Sequence, residues 1–509
     1  MKRFLIILLA IGLVLTGCKK NNKPASNTEP SVSSTNKASE STSDITNEPT
    51  QDITSAPVIE INEKVASEMR YMVLSDSTPQ RLIEFVQNNI NDVSPDEADK
   101  LLLILESVQS AWLGYYKGSV NFNSKDISGM GTELLTEIEK NGFKLITIDN
   151  VKVPAINYDI YLNSGSFLSD WFTQYIEIAN IESNMPAVCN GKLNISYEEL
   201  ENRILIASKY INKFPESIRI NEVIKCYEDY IFSYLYGYEP EPVYDINTGE
   251  ASKKLIERYK EFVKKNGDTT VAECVSEYIS LIEKGNYFLT KEIMSFLEET
   301  FSKLDDKKIY IENDIGRQIM AERMEKLLPE RTGFFWRCFG FAEYGHDAIL
   351  SSIRIEDGNP VYVVTGKVDD ASDGQVPEEH LLIYLQYRIE SNVLKQNKEA
   401  PLMMDSDFDD MELIRYPFVV GHKWNQSPID GKGKLYSIET EIISISNENG
   451  DTVYEVEYRD MSNGNVENRL IQVGKGTIGF TKLYDDNENE PFFIGYTIYE
   501  EQSGYVNHD

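Results

Sequence analysis

The run Asp405-Ser406-Asp407-Phe408-Asp409-Asp410-Met411-Glu412 offers side chains suited to a hard cation. Alternating Asp405, Asp407 and Asp409 can converge oxygens on Ca²⁺. An EF-hand loop, however, needs glycine at its sixth position for the sharp turn and a bidentate glutamate at its twelfth. Asp410 and Tyr416 stand there instead. A solvated acidic connector is therefore favoured over a calcium site, and no other cofactor is implied. Asp245–Glu250 and Asp485–Glu490 repeat the idea more weakly. Histidine chemistry has little material: His346, His380, His422 and His508 all fall in the C-terminal part. The sequence holds no HExxH, GxSxG or GxxxxGK[ST]. His422 beside Trp424 reads as a turn residue next to a buried tryptophan. Paired acids for glycoside hydrolysis depend on a separation in space, so no pair is singled out.

Tyr227, Tyr230, Tyr234 and Tyr238 recur near helical spacing. They could stack on sugars, but Ile231 and Leu235 among them favour a packed interhelical face. Cys189, Cys226, Cys274 and Cys338 match no zinc spacing and are expected to be free structural thiols. Acids outnumber bases, 83 against 50, giving a formal charge of −33. Such a surface repels phosphate backbones, so no nucleic-acid partner is expected, and it repels anionic headgroups too.

Lys2 and Arg3 precede an uncharged run, Phe4–Val14. That run is far below the ~20 residues of a spanning helix and has the form of a secretory signal. It ends in Leu15-Thr16-Gly17-Cys18, which resembles the lipobox of bacterial lipoproteins. The resemblance implies a signal peptide over 1–17, cleavage after Gly17 and a diacylglyceryl group on Cys18. Residues 18–59 are rich in Ser, Thr, Asn, Glu and Pro and hold no aromatic side chain. They cannot bury enough apolar area to offset their ordering entropy and are expected to form a flexible tether.

The patterning predicts an α+β multidomain chain. Residues 60–331 read as an all-α domain of helical hairpins, with a small β-hairpin inserted within Phe143–Leu162. Residues 332–509 read as an antiparallel β domain. Ser94-Pro95-Asp96-Glu97 and Ser196-Tyr197-Glu198-Glu199 are capping boxes, and further helices are expected over Ser252–Lys265, Thr270–Glu283 and Thr290–Leu304. The pair within Ala207–Gly237 resembles one tetratricopeptide unit. Strands are expected over Ala348–Ile355, Val361–Val368, Leu381–Ile389, Lys434–Ile445, Thr452–Tyr458, Val466–Val473, Ile478–Tyr484 and Phe492–Tyr499. Phe334, Phe335, Trp336, Phe339 and Phe341 are expected to plug the junction between the two parts.

Tyr416-Pro417-Phe418-Val419-Val420-Gly421-His422-Lys423-Trp424 and Gly474-Lys475-Gly476-Thr477-Ile478-Gly479 resemble a β-module of low-GC Gram-positive lipoproteins. Phe418 replaces that pattern's usual leucine, and Thr477-Ile478 lengthens its second element. The resemblance implies an extracytoplasmic module and no reaction. The resulting expectation is a non-enzymatic lipoprotein anchored on the outer face of the cell membrane and engaging an envelope protein or wall component. An envelope hydrolase with acidic catalytic residues is the alternative. A transporter's solute receptor ranks third, because helices precede strands here instead of alternating with them.

Overall fold

Ser94, Ser196, Thr269, Thr290 and Asp314 each open a helix by accepting a backbone N–H that has no partner inside it. The donors are Glu97, Glu199, Ala272, Ile293 and, at Asp314, both Gly316 and Arg317, at 3.1–3.3 Å. The computed structural model describes residues 64–119, 132–238, 242–372, 374–430, 433–448, 450–484 and 492–505. The Leu15–Cys18 tetrapeptide, the 18–59 segment, the 485–490 run and His508 lie outside them.

The helices so opened are Pro95–Ser119, Tyr197–Lys213, Thr270–Lys284, Lys291–Asp305 and Ile315–Glu325. Others run Lys64–Leu74, Pro79–Asn89, Thr132–Lys140, Asp170–Asn184, Ile220–Leu235 and Lys253–Lys265. The expected hairpin is present as β1 (Phe143–Ile148) and β2 (Val151–Ile156), paired antiparallel. A two-residue pair, β3 (Val188–Cys189) and β4 (Lys192–Leu193), follows it. In the Pro95–Ser119 helix every residue from Leu101 to Leu105 is buried. A helix apolar on all sides must be surrounded. It packs against the Lys64–Leu74, Pro79–Asn89 and Ile315–Glu325 helices and against β2. Tyr197–Lys213 and Ile220–Leu235 form the expected pair, with Tyr210 Oη 2.9 Å from Ser217 Oγ. Tyr230 and Tyr234 lie buried on that pair, a packed face and not an exposed platform.

The C-terminal part is a single antiparallel sheet. Its strands are β5 (Phe334–Gly340), β6 (Gly345–Glu356), β7 (Asn359–Val368), β8 (Leu382–Glu390), β9 (Val393–Glu399), β10 (Asp410–Arg415), β11 (Lys423–Gln426), β12 (Ile438–Glu448), β13 (Asp451–Asp460), β14 (Val466–Gln472), β15 (Gly476–Tyr484) and β16 (Phe492–Ile498). β17 (Gly504–Tyr505) adds to β5. The order is β10-β9-β8-β7-β6-β5-β16-β15-β14-β13-β12-β11. Two meanders thus join at β5–β16, and their free ends, β10 and β11, are consecutive in the chain. The architecture is α+β, as the patterning predicts.

Those free ends are joined by an antiparallel backbone bridge between Phe408 and Asp430, by Arg415 over the Trp424 ring at 5.8 Å, and by the Gln426 side chain. The Gln426 amide accepts the Glu412 N–H at 2.9 Å and donates to the Glu412 carbonyl at 2.9 Å, as a backbone ladder would. It also donates to Thr440 Oγ1 at 2.9 Å. Removing it with Gln426→Ala is expected to cost about 2 kcal/mol, at 0.5–1.5 kcal/mol per net hydrogen bond. Hydrogen exchange at the Glu412 amide should accelerate in parallel. An unchanged rate there would mean that some other contact seals the sheet.

One expectation needs correction. Phe334–Gly340 is a central strand and not a plug: Phe334, Trp336 and Cys338 point inward while Phe339 and Phe341 are exposed. The alternation in Phe-Phe-Trp-Arg-Cys-Phe is a period of two, which an aromatic count conceals. Helices and sheet instead meet through the Ile315–Glu325 helix and its surroundings. Gly474 and Gly476 donate to the carbonyls of Lys326 and Leu327 at 2.8 and 2.7 Å. Arg323 lies 5.0 Å from the Phe418 ring centroid, and Lys423 N–H donates to Ser119 Oγ at 2.8 Å. The Ile315–Glu325 helix, β9, β10 and β11 are elements that the patterning does not mark.

Candidate ligand cleft

Asp314 has two duties. One carboxylate oxygen caps the Ile315–Glu325 helix, and the other takes Arg219 Nη1 at 2.5 Å. Arg219 precedes the Ile220–Leu235 helix, and its Nε donates to Glu106 Oε2 at 3.0 Å, on the central Pro95–Ser119 helix. Glu106 Oε1 accepts from Tyr158 Oη at 2.8 Å and Tyr175 Oη at 2.6 Å. Four helices and the segment after β2 are therefore tied together through Arg219 and Glu106. The Arg219 side chain is 5% exposed. Burial works against the Arg219 charge, and Glu106 and Asp314 outweigh it, so the group stays protonated. Burial also lifts both tyrosine hydroxyls well above their ordinary range, which keeps them as donors.

This network forms one wall of a chamber of about 340 Å³. Ser107, Ser110 and Glu222 line it from the helices, Ser391 and Asn392 from the β8–β9 turn, and Arg317 from the start of the Ile315–Glu325 helix. A second chamber of about 510 Å³ shares Asp314, Arg317 and Ser391. It lies between the 310–325 segment and the β6–β7 turn, with Glu325 and Asn359 on its walls. Arg317 Nη2 donates to Asn359 Oδ1 at 3.1 Å. The β6–β7 turn is held by Asp357 and Gly358 at positive φ.

Glu222, Glu325 and Arg317 form no ion pair among the described residues. Desolvation raises the Glu222 pKa, only partly offset by Arg219. Desolvation, with Glu322 adding to it, pushes Glu325 up to about 7. The result is a cleft with mixed, incompletely neutralised charge, a form suited to recognising a polar ligand.

The sequence-derived candidates lie elsewhere. Asp405 points into the sheet's interior, where Arg469 Nη2 meets its Oδ1 at 2.5 Å and Gln396 donates to Oδ2 at 3.0 Å. Burial opposes its charge, but Arg469 and Lys398 hold its pKa below the usual carboxylate value. Asp407 is exposed and pairs with Lys482 at 3.1 Å, and Asp409 is exposed at the surface. The segment bends between Asp405 and Asp409 instead of running as a strand, so these side chains diverge and the three do not form one oxygen cage. Among the described residues no group of three or more His, Cys, Asp or Glu side chains could hold a metal. His422 is buried beside Trp424, with Nδ1 2.8 Å from the Pro417 carbonyl. His346 is also buried. The four cysteines past Cys18 are free, and burial raises the thiols of Cys226 and Cys338 to about 12.

Glu106, Arg219, Glu222, Asp314 and Arg317 come from three distant stretches of chain, and no spacing links them. The only local signal is the Asp314 cap before Ile315-Gly316-Arg317.

No family model matches the chain, and no curated protein does either. Among solved structures it is similar to a protein of Parabacteroides distasonis ATCC 8503 provisionally named a lipoprotein, at 10% identity and a TM-score of 0.21. That match covers 34% of this chain and 95% of the other. A provisionally named exported protein with a YmcC-like fold, from Bacteroides fragilis NCTC 9343, matches at 12% identity and a TM-score of 0.22, covering 34% and 96%. Likenesses this slight carry no argument about role. Among the described residues no helix is long and apolar enough to cross a membrane.

Proposed function

We propose that this chain is an extracytoplasmic lipoprotein, held at the cell membrane through Cys18, whose double-chambered cleft binds an envelope protein or wall component without turning it over. The lipobox supports the address. The observation that carries the binding role is the cleft itself, where Arg317 and Glu222 line one chamber without ion-pair partners. Stable anchoring needs two or more acyl chains, each buried methylene contributing ~0.8 kcal/mol. Cys18→Ser is accordingly expected to abolish fatty-acid labelling and release the protein from membranes, and a labelled, membrane-bound variant would end that part of the reading.

A second reading, an envelope hydrolase, is favoured by one observation: Glu222 and Glu325 both face the cleft with raised pKa values. Incubating the full-length protein with envelope extract separates the two. Recovery of an intact bound component supports binding. Steady release of cleaved fragments, lost in Glu325→Gln, would replace it with hydrolysis.

A further inference from the structure

Resting on the cleft reading, we propose that the 340 Å³ chamber takes a zwitterionic amino compound, a free amino acid or short peptide, with its carboxylate on Arg317 and its ammonium group near Glu222. Five charged groups face this chamber: Glu106, Glu222, Asp314, Arg219 and Arg317. Arg219 is already held by Glu106 and Asp314 together, so these three neutralise one another except for a single negative charge. That leaves Arg317 and Glu222, of opposite sign, in one chamber and not paired with each other.

Two unlike charges kept apart on the wall of one chamber discriminate among ligands. A simple anion placed on Arg317 meets repulsion from Glu222 and the acidic triad. A simple cation placed on Glu222 gains from the triad's residual negative charge but leaves Arg317 unmet. A neutral polar ligand displaces water from both charges and returns nothing, which is the costly case for a charge removed from solvent. Only a ligand carrying both signs satisfies both ends. An arginine fork suits a planar carboxylate through two parallel hydrogen bonds. An ammonium group arriving beside Glu222 would offset the desolvation that raises its pKa. Ser107, Ser110 and Asn392 supply neutral donors and acceptors between the two ends, and the larger chamber beyond Arg317 leaves room for a side chain.

Titration calorimetry on the full-length protein in detergent, with Ala-Ala and its N-acetylated and C-amidated forms, tests this. Ala-Ala should bind, and each blocking group should weaken binding at least tenfold. Arg317→Gln should erase the penalty for amidation and keep that for acetylation, and Glu222→Gln should do the reverse. Both side chains are solvent-accessible, so the variants should keep the wild-type circular dichroism. Equal binding of free and blocked peptides, penalties unchanged in both variants, or no binding of any of the three would overturn the zwitterion assignment. Ser110→Trp fills the chamber and separates this failure from that of the cleft reading. If blocked peptides bind the wild type as well as Ala-Ala does and Ser110→Trp abolishes it, the cleft stands and the ligand class falls. If Ala-Ala binds Ser110→Trp undiminished, the cleft is not the seat and both fall.

Discussion

Arg469→Met is expected to destabilise the protein by about 3–5 kcal/mol, the range found when one partner of a buried ion pair is removed. Arg469 and Asp405 have 0% side-chain exposure, inside the curled sheet. The deletion leaves the Asp405 carboxylate with Gln396 and the more distant Lys398 in a space that water does not enter. Glu467, half-buried, also loses the positive charge that restrains its rise in pKa. The guanidinium lies 4.9 Å from the Phe480 ring centroid, so packing is lost as well. The double variant Asp405→Leu/Arg469→Met should recover much of the loss, because removing both charges abolishes the desolvation cost that the single variant exposes. Urea unfolding of the three variants measures this. A single-variant effect below about 1 kcal/mol would mean that the pair is solvated in solution.

Acid lability should follow from two buried imidazoles. Desolvation lowers His346 and His422 to about 4, although Asp405 opposes it for the first and the Pro417 carbonyl for the second. A depressed folded-state pKa means that the unfolded chain binds the proton first. The stabilisation is present in full above about 6.5, the unfolded value, and drains away as pH falls toward 4. Each histidine should contribute about 1.4 kcal/mol per pH unit through that window. Glu325 works in the opposite sense: raised to about 7, it contributes stability below its unfolded value that is lost as pH rises through 7. Acidification therefore gains from Glu325 part of what the histidines lose, and Glu222, raised as well, acts in the same direction. The comparison that isolates the effect is between variants. His422→Gln and His346→Phe should each flatten the pH dependence of the unfolding free energy by about 1.4 kcal/mol per pH unit between 6 and 4.5. Parallel curves for variant and parent would show that these rings titrate as freely as in the unfolded chain.

Legibility differed by element for physical reasons. The helices opened at Ser94, Ser196, Thr269 and Thr290 announce themselves because a cap is a local hydrogen bond between residues three apart. The strands from β12 to β16 announce themselves by alternation between hairpin turns. β10 and β11 do not. They are short and terminal in the sheet, and their acidic and turn-rich surroundings resemble a connector. Asp405 misleads for a related reason: its partner Arg469 is 64 residues away by number, so the run looks like a set of free oxygens. The cleft was invisible because its charges are matched only after folding. Glu106 looks like one more solvated acid on a helix, and nothing within several turns of it hints at Arg219.

The amide of Gln426 also bears on how this molecule lives among copies of itself. Strands that end a sheet present unmet N–H and C=O groups that a neighbouring chain can extend, which is the usual seed of fibrous assemblies. Here the Gln426 amide meets the Glu412 N–H and C=O, alongside the Phe408–Asp430 backbone bridge and Arg415 over Trp424. Deamidation to glutamate would remove the donor half and set a negative charge against the Glu412 carbonyl. Chemical ageing at this one position would thus weaken one of the contacts that keep the two sheet ends together.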